Sequence, residues 1–530
     1  MGNEGSKAHL VGSGIANLAA AAYLIKDGGF SGANIFIYEE DSILGGCLSE
    51  KGYFEREKGY FMLGQRMFEE HYVCFYDLCS FIPSLDDPNK TVKQDTLEFT
   101  ATNPWNNKAR LIDSGKIMTA SAYGFNKKDE LELLALTSSP ERRWNGKRIT
   151  DAFSEHFFET NFWHMWKTLF AFEPWHSAIE MRRYLLRFMH LFPDMAVQSR
   201  IHHTRYNQYD SVVRPIAKWL TDHGVQFMEK TRVTDIDLGN DTDSEITARR
   251  IMMVQEGKQK EVEVRPEDIV IVTLGSMVAN AMYGSNSSAL EVPRSFAHSG
   301  AWALWETLAR KRKDIFRDPS VFTGHIDESN FVSFTVTQTD PLFFDLMHKF
   351  SGVKAGLNGI TSFPESSWNL SFIPEHQPYF RDQRPGVYVW YGIGLYADKI
   401  GDYVKKPMGQ CSGREILEEL LRHLKFDADI KRILDSSILI PCFMPFITSQ
   451  FLKRKIEDRP DVVPQGSTNL ALTGQFVEAP LDCVFTMEYS VRTAQMAVFK
   501  LLNLAKEPNP VVQVSHDMHV VWNAMKSLSQ

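Results

Sequence analysis

The strongest constraint on this chain sits at its start. Ala8 to Val11 is a short apolar run, followed at once by Gly12-Ser13-Gly14-Ile15-Ala16-Asn17. A helical pattern comes next, with Ile15, Leu18, Ala22 and Ile25 on one face, and Gly28-Gly29 stops it. A second strand, Asn34 to Tyr38, ends on Glu39-Glu40. Strand, glycine turn, helix and strand make a βαβ unit, the building block of parallel α/β sheets. Gly12 permits the tight turn and Gly14 lets the backbone approach a pyrophosphate. The helix opening at Ala16 and Asn17 offers unpaired N–H groups. Asn17 stands where Gly or Ala is usual. Glu39 closes the second strand, where an acid bonds the ribose hydroxyls of a dinucleotide. These coincident features predict a dinucleotide site rather than a plain structural turn.

Three further glycine signals point to FAD and to a domain assembled from separated segments. Leu44-Gly45-Gly46 follows the ribose acid, as in two-dinucleotide-binding flavoproteins, where a glycine pair lets the chain pass close to the phosphates. The apolar run Ile269 to Leu274 ends in Gly275-Ser276, and Leu470 to Thr473 ends in Gly474-Gln475. The expected architecture is α/β: a discontinuous Rossmann-like FAD-binding domain with an inserted α+β substrate domain. We divide it as FAD-binding segments 1–95, 194–298 and 466–505, substrate segments 96–193 and 299–465, and a tail, 506–530.

At 530 residues the chain is too long for one core. A formal charge of −8 argues against nucleic acid as a partner, because no basic surplus exists to release counterions. The six cysteines include no CxxC pair, which reads as a reduced, cytoplasmic compartment. No run approaches the ~18 apolar residues a membrane span needs, although peripheral membrane contact stays open. Met1-Gly2-Asn3-Glu4-Gly5-Ser6 fits the form of an N-myristoylation signal and reads first as a short polar leader. Aromatics reach 12%, and the stretches around Phe162-Trp163, Trp166 and Trp175 suit the wall of an apolar tunnel, though any single ring reads first as core. His516 and His519 lack a third ligand, so no metal is expected.

Several stretches together resemble one family, the fatty acid (oleate) hydratases, also called myosin-cross-reactive antigens. They are Gly12 to Ala16, Gly59-Tyr60 through Leu78, Trp175-His176-Ser177-Ala178-Ile179-Glu180, Tyr206-Asn207-Gln208-Tyr209-Asp210-Ser211, Tyr396 through Met408, and Gly474-Gln475-Phe476 through Arg492. The resemblance runs from about Lys7 to Ala505. It implies an FAD-dependent hydro-lyase that adds water across the cis-9 double bond of a long-chain unsaturated fatty acid, oleate giving 10-hydroxystearate. The alternatives that share the fold are a double-bond isomerase, a flavin desaturase, or a flavin- and lipid-binding protein without catalysis. The resemblance places the proton donor at Tyr184 and flavin contacts at Gln208 and Arg66.

Two departures from the family pattern bear on the chemistry. Its Arg-Gly-Gly-Arg-Glu-Met loop appears here as Leu63-Gly64-Gln65-Arg66-Met67-Phe68, so the water-activating Glu position is Met67, a thioether that cannot act as a base. Either Met67 only positions the water, or Glu69 or Glu70 substitutes, or hydration is slow. The carboxylate-binding positions fall on Ile373, Glu375 and Tyr379; Glu375 would repel a fatty-acid carboxylate, leaving His376, Gln377 or Tyr379 as substrate contacts. Family members usually carry a longer N-terminal segment that packs on a partner subunit, so a monomer or weak dimer is expected.

Overall fold

The computed structural model describes residues 5–54, 58–239, 245–292 and 298–528. The Gly2 acylation pattern lies outside the described residues. The Ala8–Val11 strand lies at the centre of a five-stranded parallel sheet in the order Leu470–Thr473, Ile269–Thr273, Ala8–Val11, Ile35–Tyr38, Gln226–Met228. Leu10 sits opposite Ile271 on one side and Ile37 on the other. These strands read as continuous apolar runs because helices cover the sheet. The helix Ile15–Lys26 is buried from Ile15 through Leu24, not along one stripe as its periodicity suggests. It is clamped between the sheet and the long helix Met487–Leu501, and Ala19 to Ala22 let those backbones come close.

A six-stranded antiparallel sheet forms the second body, in the order Met282–Tyr283, Ser437–Met444, Phe331–Gln338, Tyr388–Gly394, Leu370–Ile373, Thr361–Ser362. Phe331–Gln338 is buried on both faces, and its alternation shows why. Val332, Phe334 and Val336 enter an apolar core with Phe343, Trp390 and Leu420. The opposite face carries hydroxyls that meet another strand, Gly59–Met62. Thr337 Oγ1 accepts the Tyr60 N–H at 2.8 Å, and Thr335 Oγ1 accepts the Met62 N–H at 3.2 Å. Ser333 Oγ donates to the Leu63 carbonyl at 3.5 Å. A strand built for period-two alternation thus fixes the start of the Leu63–Phe68 turn.

The 298/299 boundary is crossed from both sides. Met282–Tyr283 pairs with the second sheet, while the helix Gly300–Lys311 packs on Thr231–Gly239, part of a three-stranded meander beside the parallel sheet. The tail carries one amphipathic helix, Met518–Leu528. Among the described residues no helix is long and apolar enough to cross a membrane.

Candidate functional site

A cleft of about 570 Å³ opens at the carboxyl ends of the parallel strands, where open α/β sheets bind their ligands. Of the residues read from sequence, Gly12, Gly14, Ala16, Glu39, Gly46, Gly275, Ser276, Gly474 and Gln475 line it. The helix above the glycine turn starts at Ile15 with no side-chain cap and no acid in its first turn, so its N–H groups face the cleft unneutralised. Gly12 adopts φ +91°, open to glycine without strain. A Cβ on Gly14 would meet no protein atom within 4 Å, so the space there is left for something other than this chain. Glu39 Oε2 accepts Ser13 N–H and Oγ–H at 3.0 and 2.5 Å, and Oε1 accepts the Asp41 N–H at 2.9 Å. These bonds hold the carboxylate at the cleft rim. A pyrophosphate over the helix start and a ribose at Glu39 fit this donor and acceptor set.

Asn17 and Gly45 do not line the cleft; they build it. Asn17 Nδ2 donates to the Val11 and Gly12 carbonyls at 2.7 and 3.0 Å, and its Oδ1 accepts from Thr473 Oγ1 at 3.0 Å. Gly45, at φ +109°, donates its N–H to the Ser13 carbonyl at 3.1 Å. Sequence reasoning missed Arg232, Tyr283, Gly300 and Ser490 in the lining; they come from four distant segments outside the strand-ending glycine turns.

A second, smaller chamber of about 70 Å³ lies beside the cleft. Its walls are Gln65, Arg66 and Met67 on one side, Thr168 to Ala171 on another, and Phe372, Ile373, Tyr391 and Phe485 around them. The Leu63–Met67 turn separates the two spaces, since Leu63 lines the cleft and Gln65 to Met67 line the chamber. Gln208 is buried and its Oε1 accepts the Arg66 N–H at 2.8 Å, which holds the turn from behind. The Arg66 guanidinium lies 4.7 Å from the centre of the Phe485 ring. Gln475, a cleft residue, accepts the N–H of Phe485, a chamber residue held at φ +69°. The two spaces are therefore joined by the turn and by this amide.

Tyr184 is fully buried among Phe170, Phe172, Phe188 and Phe451, with its hydroxyl donating to the Val484 carbonyl at 2.5 Å. Phe170 and Phe485, which line the chamber, stand beside it and next to its acceptor. Burial pushes the phenol well above its ordinary pKa, so it keeps its proton. The carboxylates weighed as substitutes for a base at Met67 are occupied. Burial alone would raise the Glu69 carboxyl, but hydrogen bonds with His190 and His71 and the charge of Arg187 outweigh it and hold it well below the usual range. Glu70 is exposed and pairs with Arg200. His376, Gln377 and Tyr379 are not among the chamber's walls. The His376 ring packs edge-on against Phe99, the Gln377 amide donates to the Glu375 and Val389 carbonyls, and the Tyr379 carbonyl accepts the Asn207 N–H at 2.9 Å.

Parallel sheet, uncapped glycine turn and rim acid define a Rossmann-like α/β protein, its dinucleotide-type cleft joined to a separate apolar chamber. The same fold appears in a putrescine oxidase structure (TM-score 0.54, 12% identity, covering 94% of this chain and 99% of that one) and in an oxidoreductase from Methanosarcina mazei (TM-score 0.52, 12% identity, 93% and 100%). The chain belongs to the MCRA family, whose model matches residues 5–499, as the motifs led us to expect. It is 38% identical over 514 residues to an oleate hydratase of Streptococcus pyogenes serotype M49 (strain NZ131), covering 95% of this chain and 86% of that protein. It is 34% identical over 547 residues to a linoleate hydratase of Lactiplantibacillus plantarum, covering 95% of each.

Proposed function

We propose that this chain is a fatty acid hydratase that binds FAD in the cleft and adds water across the cis-9 double bond of oleate or a similar long-chain unsaturated acid. The observation that carries this reading is the Leu63–Met67 turn, which walls the cleft on one side and the chamber on the other. The hydratase relatives support the same substrate class. Gly12, Gly14 and the Ile15 helix start hold the diphosphate, and Glu39 takes the ribose. Bound there, FAD would supply a polarisable ring able to stabilise charge that develops during addition.

An isolated alkene is a poor electrophile, so hydration needs a proton at one carbon and an oriented water at the other. Tyr184 is the donor in this reading: its phenol is neutral, and its acceptor Val484 adjoins the chamber wall at Phe485. Met67 shapes the water side without taking a proton. The chamber as it stands, about 70 Å³, admits only a segment of an acyl chain. Incubating the FAD-loaded protein with oleate tests the reading. A product heavier by one water supports it, an isomer of unchanged mass makes it an isomerase, and no change makes it a binding protein. Tyr184→Phe should cost on the order of a hundredfold or more in initial rate, the scale of a positioned acid; wild-type activity in that variant would move the donor elsewhere.

A further inference from the structure

Tyr396 through Met408 belongs to the family resemblance, yet the hydratase reading gives it no role. Its loop is pinned by a cluster of charged groups. Glu419 and His423 stand four residues apart on the helix Gly413–His423, so their side chains share one face. The Glu419 carboxylate is buried. Its Oε1 accepts the Asp402 N–H at 2.5 Å, its Oε2 the Val404 N–H at 2.7 Å, and the two share the Tyr403 N–H at 3.2 and 3.0 Å. Asp402 is held in turn by Ser367, whose N–H and Oγ–H it accepts at 2.8 and 2.6 Å. Both carboxylates are thus oriented by the chain itself.

The His423 ring lies against both and is 2% exposed. Its Nδ1 is hydrogen-bonded to Glu365 Oε1 at 3.1 Å, and a carboxylate partner places the hydrogen on that nitrogen. Nε2 faces Asp402 Oδ2 at 3.3 Å and Glu419 Oε1 at 3.6 Å, aligned for a hydrogen bond with neither. A ring lone pair and two carboxylate oxygens are all acceptors, and a cation among them satisfies the three together. The spacing itself provides the room: tetrahedral ligands ~2.0–2.2 Å from a zinc ion stand ~3.3–3.6 Å apart. The three ligand atoms lie within 4.8 Å of one another. Among the described residues no Lys or Arg forms an ion pair with Asp402, Glu419 or Glu365, so even a doubly protonated His423 sets one positive charge against three negative ones. A comparable group, Glu69, His71 and His190, differs in having the Arg187 guanidinium 3.1 Å from its carboxylate as a built-in cation.

We propose that His423 Nε2, Asp402 Oδ2 and Glu419 Oε1 bind a divalent transition-metal ion of the zinc class. Imidazole nitrogen with two carboxylates suits such an ion better than calcium or magnesium, which favour oxygen alone. Glu365 orients the ring through Nδ1, as carboxylates commonly do behind a metal-bound histidine. The Asp402 side chain is 34% exposed, so the ion enters from solvent and water completes its shell there. Bound, it clamps the loop after Tyr396 to the end of the helix and, through Asp402, to the turn at Ser367. The role is structural and does not depend on the hydratase reading.

The experiment strips the purified full-length protein with a chelator and titrates it with Zn2+, Mn2+ and Ca2+ by calorimetry. Thermal midpoints with and without each ion accompany it. The wild type should take up zinc at this site more tightly than calcium, and its midpoint should rise by several degrees. Zinc-edge X-ray absorption should show an imidazole nitrogen among oxygen ligands. His423→Gln and Asp402→Asn should each lose at least tenfold in zinc affinity, and Glu365→Gln about ten- to a hundredfold. If His423→Gln does not fold, the partly exposed Asp402→Asn decides alone. Equal zinc affinity and midpoint shift in the wild type and Asp402→Asn put the ion elsewhere and overturn the proposal. A wild type that zinc neither binds nor stabilises leaves His423 as an imidazolium among its carboxylates and overturns it too. Calcium bound more tightly than zinc overturns the imidazole as a ligand.

Discussion

Asn17 replaces a small residue in the glycine turn, and its three hydrogen bonds show what the substitution accomplishes. It ties the end of the first strand, the turn and the last strand of the sheet into one polar knot with nothing exposed. Asn17→Ala leaves the Val11 and Gly12 carbonyls without this donor, so unfolding free energy should drop by about 2–3 kcal/mol, read from denaturant titration of the purified protein. Sequence marked both Asn17 and Met67 as departures from the family pattern. It could not say what meets the Asn17 amide, because Thr473 is brought there only by the fold. A single departure is visible in a motif; its compensation is a contact between segments far apart in the chain.

At the scale of elements, the pieces with strong local signals were legible. The glycine-bounded strands Ile35–Tyr38, Ile269–Thr273 and Leu470–Thr473 all fall where the apolar runs placed them. The short edge strand Gln226–Met228 and the two-residue Met282–Tyr283 carry no such signal, since pairing partners rather than pattern create them. The helix at Ile15 yields a prediction of its own. Its N-terminus is useful only while the approach to it is open, and Gly14 borders that opening with no protein atom near its missing Cβ. Gly14→Val fills it. The variant should fold with an unchanged far-ultraviolet circular dichroism spectrum yet purify without flavin absorbance; a normal flavin spectrum would count against the cleft as the dinucleotide site.

Across the whole molecule, several histidines are buried in neutral form. Burial lowers His9 and His203 to about 4 and His176 to about 3, from an ordinary 6.5. A histidine depressed on folding binds its proton more readily in the unfolded chain. Its contribution is therefore intact above pH 6.5 and is lost as pH falls towards the folded value, on the order of 3 kcal/mol for His9. The thermal midpoint should fall steeply between pH 6.5 and 4, and His9→Gln should flatten part of that slope. A midpoint flat over that interval would mean these rings are hydrated.

The parallel sheet also sets a timetable for biosynthesis. Its central strand is made well before the strand that completes its far edge, Leu470–Thr473. At ~5–20 residues per second the nascent chain spends tens of seconds with the Ile269–Thr273 edge unpaired and the Asn17 amide waiting for Thr473. An unpaired strand edge is a template for another chain, so crowding by neighbouring ribosomes is the period of greatest hazard. A stop codon shortly before Leu470 would release a polypeptide that owns nearly every residue of the cofactor cradle and still cannot close it.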